Sequence, residues 1–243
     1  MYSCSAQLHR LLLNYLEVPY KTTWLSYPDI EPTFKELGIP PSTIRADGSG
    51  YYTCPTIAEH TPSGPTYITD SVIIADYLAT TYPSPNKPPI FPKGTKAAIK
   101  LLISELHQKL LSHLVNLVLP ETPAILDERG AEFFHRTRSA ELGPLDQFYP
   151  AGPAREEVWS ALKEYLDRLA LICDQNDASD VFFIGSSITY ADIYLVAIFM
   201  WTKAIPTDRD GPDIKCSWDR IKGLNGGRWA RLMHVFDEYL QVN

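Results

Sequence analysis

Residues 52–78 read YTCPTIAEHTPSGPTYITDSVIIADYL, and the rest of the chain is organised around them. Two extended runs, 53–59 and 66–68, flank His60-Thr61-Pro62-Ser63-Gly64-Pro65. Glycine and proline between such runs mark a hairpin. After the second run come Thr69, Asp70 and Ser71, then an apolar stripe at Ile73, Ile74, Tyr77 and Leu78, which is one face of a helix. Asp70 or Ser71 is a natural N-cap for it.

Two features here carry chemistry. Pro55 opens a strand, where proline is tolerated only at an edge, an end or a special bond. A cis Cys54–Pro55 bond would turn the backbone N–H and C=O of Cys54 outward, free to pair with an extended ligand. The helix start at Asp70-Ser71 offers unpaired N–H groups and the positive end of a dipole, which suit a carboxylate. The Ser71 hydroxyl adds a donor, and the Asp70 carboxylate suits an ammonium. Together they describe a receptor for a small zwitterionic peptide.

Working outward, residues 3–17 form an amphipathic helix ended by Pro19, and 20–26 (YKTTWLS) read as a strand rich in aromatic and β-branched residues. Residues 28–37 are a short helix stopped by Gly38, and 40–50 a polar loop. Five prolines stiffen the segment 83–92 into a linker. Helical patterns dominate beyond it, over 95–119, part of 124–143, 155–176, 189–202 and 225–239. The run TYADIYLVAIFMWT (189–202) is apolar on nearly all sides and is expected to be the buried central helix. Thr189 and Asp192 form a capping box at its start, flanked by the Ile188–Ile193 staple, with a structural role.

A strand opened by proline, a hairpin, then an acidic residue plus serine capping a helix resembles the glutathione-binding half of glutathione transferases. The proline-rich linker and all-helical second half continue the resemblance over nearly the whole chain. It is closest to the fungal transferases related to bacterial beta-etherases, through LNYLEVPYKTTWLSYPDIEP (13–32) and NGGRWARL (225–232). The resemblance implies an α/β thioredoxin-like domain (1–82), the linker (83–92) and an all-α domain (93–243). The first strand of that α/β unit is absent from the sequence, so its neighbours are expected to lack a ladder partner.

The implied co-substrate is glutathione, held at Cys54, Pro55, Asp70 and Ser71. A hydroxyl at a helix N-terminus favours thiolate over a free thiol of pKa about 8.5. Ser3 matches the active serine of the relatives; Cys4 is the competing nucleophile, and a frayed or merely capping Ser3 is the bland reading. Cys54 is expected to bind through its backbone with its side chain facing the core, a redox role being the alternative. His107, Leu110, Leu111 and Leu114 are expected to line the site for a small hydrophobic molecule, although such stripes are more often core. Three outcomes stay open: thiolate attack on an electrophilic or aryl-ether carbon, reversible addition giving cis/trans isomerisation of an alkene, and a non-catalytic ligand-binding or scaffolding relative. A homodimer is expected by resemblance alone.

Composition narrows the remaining choices. The chain has 243 residues, 45% hydrophobic and 21% charged, with a net charge of −7. That balance and the lack of a basic run argue against a nucleic-acid partner. Cys4, Cys54, Cys173 and Cys216 show no zinc or CxxC spacing, so no metal is expected, and scattered thiols fit a reducing compartment. No apolar run is long enough for a bilayer, and the expected location is cytoplasmic.

Overall fold

The structure, a computed structural model, describes residues 4–145, 150–176 and 180–241. Helix α1 (Cys4–Tyr15) is followed by a 3-10 turn (Tyr27–Asp29) and α2 (Ile30–Glu36). Two short strands, β1 (Thr43–Ile44) and β2 (Gly50–Tyr51), pair antiparallel. The hairpin is β3 (Thr56–Thr61) and β4 (Gly64–Thr69), and α3 (Ser71–Thr81) follows at once.

The second half contains α4 (Lys96–Glu105), α5 (Leu111–Val118), α6 (Glu128–Leu142), α7 (Pro153–Cys173), α8 (Tyr190–Ala204), α9 (Ser217–Ile221) and α10 (Arg228–Val235). The architecture is a thioredoxin-like unit with small sheets, followed by a helical domain.

Four details differ from the sequence reading. Residues 20–26 form no regular element and join no ladder. Side-chain character makes a run strand-like, but a strand also needs a backbone partner, and none lies beside this one among the described residues. The polar loop 40–50 holds the β1–β2 pair, because Asp47-Gly48 turns the chain back, with Gly48 at φ +82°. The expected single helix over 95–119 is interrupted by a π-helical turn at Leu106–Leu110. Such turns rotate the face beyond them and occur often near functional sites. Finally, α9 was not anticipated; five residues are too short for periodicity to register.

One core joins the two halves. Leu8, Leu11 and Leu12 of α1 are buried in the same cluster as Ile74 and Leu78 of α3 and Ile193, Leu195 and Val196 of α8. A fully buried aliphatic side chain of this size stabilises by about 2 kcal/mol, so burial of these stripes dominates the docking. A smaller cluster of Ile30, Phe34 and Ile39 lies under α2, with Leu25, Tyr27, Tyr52 and Tyr67 packed on it.

Helix α8 is the buried centre, and its capping box is present. Asp192 is fully buried. It accepts from the Thr189 N–H at 2.8 Å, the Thr189 hydroxyl at 2.6 Å and the Phe183 N–H at 2.9 Å. Burial pushes its carboxyl up to about 6, opposed by these hydrogen bonds. A second buried charge is neutralised by pairing: Arg155 binds Asp210 through Nε and Nη2, each at 2.8 Å, and Trp159 Nε1 donates to the same carboxylate at 2.9 Å. Burial pushes the Asp210 carboxyl up, but the Arg155 guanidinium more than offsets this and holds it below its ordinary value.

The raised Asp192 has a defined consequence for stability. Between its ordinary value of 3.8 and about 6, the folded chain keeps a proton that the unfolded chain has released. Its contribution therefore falls as pH rises through that window. Urea unfolding from pH 4 to 7 is expected to show a steeper loss in the wild type than in Asp192→Asn, whose profile lacks that component. The substitution also costs about 1–3 kcal/mol, because the amide has one acceptor oxygen where both carboxylate oxygens receive N–H donors.

Candidate functional site

The β3–β4 register decides where the site lies. Thr56 pairs with Thr69 at the end of the ladder, and Ile57 with Ile68 before it. The ladder stops there: Pro55 directly precedes β3, Asp70 directly follows β4, and Ser71 already belongs to α3. Opposed residues of an antiparallel pair have Cα atoms about 5 Å apart, so the Thr56–Thr69 pair brings the Cys54-Pro55 segment and the start of α3 to the same end of the hairpin. The Cys54–Pro55 peptide bond is cis.

Asp70 is the N-cap of α3. Its Oδ1 accepts from the N–H groups of Val72 at 2.9 Å and Ile73 at 3.1 Å. Its backbone is at φ +76°, ψ 130°, a region that a non-glycine residue seldom occupies. Such a conformation costs about 1–3 kcal/mol and persists only where the surroundings over-determine it. Functional sites are where strain of this kind accumulates. Ser71 begins the helix, and its hydroxyl makes no hydrogen bond to another described residue. Its carbonyl accepts from the Tyr190 hydroxyl at 2.8 Å, a contact from the first turn of α8.

Cys54 is exposed as a residue and belongs to neither buried cluster, while its sulfur is partly desolvated. Desolvation of the sulfur pushes the thiol up, opposite to what a redox or nucleophilic cysteine needs. Its N–H and C=O form no hydrogen bond with the described residues, which leaves them available as the strand edge runs out. Ser3, the expected holder of a thiolate, lies outside the described residues. Helix α1 begins one position later, at Cys4.

The stripe expected to line a second subsite divides. Leu110 and Leu114 are completely buried in the common core, with no surface left for a ligand. His107, within the π-helical turn, is exposed, and its Nδ1 lies 2.8 Å from the Tyr194 hydroxyl. Leu111 is half-buried beside the core. Burial pushes His113 below its ordinary value, which keeps it neutral near pH 7. Among the described residues no group of three or more His, Cys, Asp or Glu side chains is placed to hold a metal ion.

A further cluster escaped the sequence reading. Helix α6 packs against the segment before α2: Ser26 donates to Asp127 at 2.9 Å, Arg129 pairs with Asp29 at 2.7 Å, and Phe134 meets Tyr27 edge-on. Arg138 reaches back to the Tyr51 hydroxyl at 3.4 Å, and Arg45 stacks on the Tyr51 ring at 4.4 Å. Three residues before Cys54, two guanidinium groups thus gather on one tyrosine. No spacing rule connects positions 51 and 138; only the fold does.

Comparison with known proteins agrees with this fold. A family model described as the glutathione S-transferase N-terminal domain matches residues 1–87, and one for the glutathione S-transferase C-terminal domain matches 97–239. The glutathione S-transferase-like protein ustS of Aspergillus flavus is 30% identical, over 96% of this chain and 82% of the relative. Among solved structures, the glutathione S-transferase CsGST63524 of Ceriporiopsis subvermispora, in complex with glutathione, is 34% identical with a TM-score of 0.84, covering 100% of this chain and 92% of that one. Glutathione transferase GSTFuA2 of Phanerochaete chrysosporium is 30% identical with a TM-score of 0.85 and the same coverage.

The raised Cys54 thiol sets an expected reactivity. Iodoacetamide should alkylate Cys54 more slowly at pH 7 than it does free cysteine, with a rate still climbing above pH 9.0. Peptide mapping by mass spectrometry across pH 6–10 reads this directly. A Cys54 rate already at its plateau by pH 7 would instead identify it as an activated thiol.

Proposed function

The chain belongs to the glutathione S-transferase family, and from that premise we propose that it binds glutathione across Cys54 and Asp70-Ser71 and activates its thiol. The observation that carries this reading is the Thr56–Thr69 pair, which puts the free backbone groups of Cys54 and the start of α3 at the same end of the hairpin. An extended tripeptide pairs with the Cys54 N–H and C=O. Its carboxylate at one end meets the Ser71 hydroxyl at the positive end of the α3 dipole, and its ammonium meets the Asp70 carboxylate. The relative from Ceriporiopsis subvermispora crystallised with glutathione supports the same ligand here.

Ser3 is the residue we assign to the sulfur. Its hydroxyl donates to the thiolate after the thiol proton leaves to solvent, and the thiolate attacks an electrophilic or aryl-ether carbon. The new C–S bond takes the sulfur pair, and the leaving group departs with the pair of the broken bond. With a conjugated alkene, addition, rotation about the resulting single bond and elimination return the thiolate, giving isomerisation without consuming glutathione. His107 and Leu111 remain the residues proposed to face a small hydrophobic co-substrate, since both retain exposed surface.

The proposal includes a homodimer in the cytoplasm. Ile73 of α3 and Leu101 of α4 are 58% and 73% exposed on helices held together by Asp76 with Lys96 and Lys100, and paired copies would cover them. No helix among the described residues is long and apolar enough to cross a membrane.

Calorimetric titration with glutathione, run separately from turnover assays on aryl halides, aryl ethers and conjugated alkenes, tests the reading. Ser71→Ala is expected to weaken glutathione binding by about 1–2 kcal/mol, the loss of a hydrogen bond to a charged group. Binding without any of the three activities identifies a carrier. Equal affinity in wild type and Ser71→Ala would remove Ser71 from the site.

A further inference from the structure

Tyr190 touches the proposed receptor, yet glutathione recognition as described above makes no use of it. It is fully buried in the first turn of α8. Its phenol donates to the Ser71 carbonyl at 2.8 Å, and its N–H donates to the Ile90 carbonyl of the linker at 3.0 Å. Its ring lies edge-on to Phe91, with centroids 5.5 Å apart. It directly follows Thr189, which is locked to Asp192 by two buried bonds. The place of the Tyr190 hydroxyl is therefore set by the helical domain, independently of α3.

Ser71 is in the opposite situation. It follows Asp70, whose positive φ needs external contacts to hold it. The two bonds that Asp70 makes to Val72 and Ile73 are local and exposed to water. The bond from Tyr190 spans 119 positions and ends on a buried donor. Shielded bonds are electrostatically stronger than water-facing ones. Of these contacts, it alone ties the turn to a rigid element outside its own hairpin and helix.

We propose that Tyr190 is a positioning residue for glutathione. By holding the Ser71 carbonyl, it fixes the direction in which the Ser71 hydroxyl points toward the ligand carboxylate. The inference rests on the placement of glutathione at Ser71. It makes affinity for glutathione depend on how the helical domain is docked, and by linkage bound glutathione tightens that docking.

Titration calorimetry on wild type, Tyr190→Phe, Ser71→Ala and the double variant tests it. Tyr190→Phe keeps the ring against Phe91 and removes one oxygen. Its Kd for glutathione is expected to rise about fivefold, the size of one neutral hydrogen bond. Its Kd for γ-glutamylcysteine, which keeps the end that meets Ser71, should rise by the same factor. In the Ser71→Ala background the tyrosine change should alter Kd by less than about twofold, because pairs acting through one group are not additive. A merely structural tyrosine would lower the melting temperature and leave the Kd of the folded protein unchanged. That result, or the same factor in both backgrounds, overturns the inference. Should Tyr190→Phe not fold, Tyr190→Met supplies the comparison. A wild type that binds no glutathione overturns the placement at Ser71, and this inference with it.

Discussion

The buried start of α8 is the constraint from which most of this molecule follows. A helix apolar on every side must be enclosed, and its first-turn N–H groups must then be satisfied without water. The Asp192 carboxylate takes the Thr189 N–H and hydroxyl, the Thr189 carbonyl takes the Asp192 N–H, and the Ile90 carbonyl takes the Tyr190 N–H. With the polar groups answered, α1 of the first half can pack directly on α8, and the halves share one core. Breaking the box would leave buried donors unpaired, and each such group costs about 1–3 kcal/mol. The box is therefore a condition for the interface, even though it stands away from the chemistry.

The same helix start reaches the proposed receptor through Tyr190. Ile90 of the linker, Ser71 of α3 and the α8 N-terminus converge on this one residue. The strained Asp70 is thus held by contacts on both sides, local ones from its own carboxylate and a distant one from the helical domain. A receptor built from a strand edge and a helix cap would otherwise have only the β3–β4 ladder to keep its two parts aligned.

Charge in the helical domain is handled in the same manner. Arg155 and Asp210 are both buried, and their bidentate pairing with the Trp159 donor leaves the carboxylate well satisfied. A buried pair of this type is strongly destabilising to break, but its net contribution against an apolar substitute is small. It fixes how the segment before α9 lies on α7, while the aliphatic stripes supply most of the stabilisation.

The local elements around the receptor were legible from residues 52–78 alone. Alternation and the Pro-Ser-Gly-Pro turn mark the hairpin, Asp70-Ser71 marks the cap, and Thr189-x-x-Asp192 with its apolar run marks the central helix. These are short-range signals, decided by neighbours within about four residues. What only the tertiary structure decided are the matters that depend on distant partners. Residues 20–26 have the side chains of a strand but no ladder, and Leu110 and Leu114 are enclosed in the common core. Cys54 is exposed, Arg138 reaches Tyr51, and Tyr190 reaches Ser71 across 119 positions. A sequence determines periodicity and capping through local sterics and hydrogen bonds, whereas burial and long-range pairing are properties of the assembled core, which no single stretch contains.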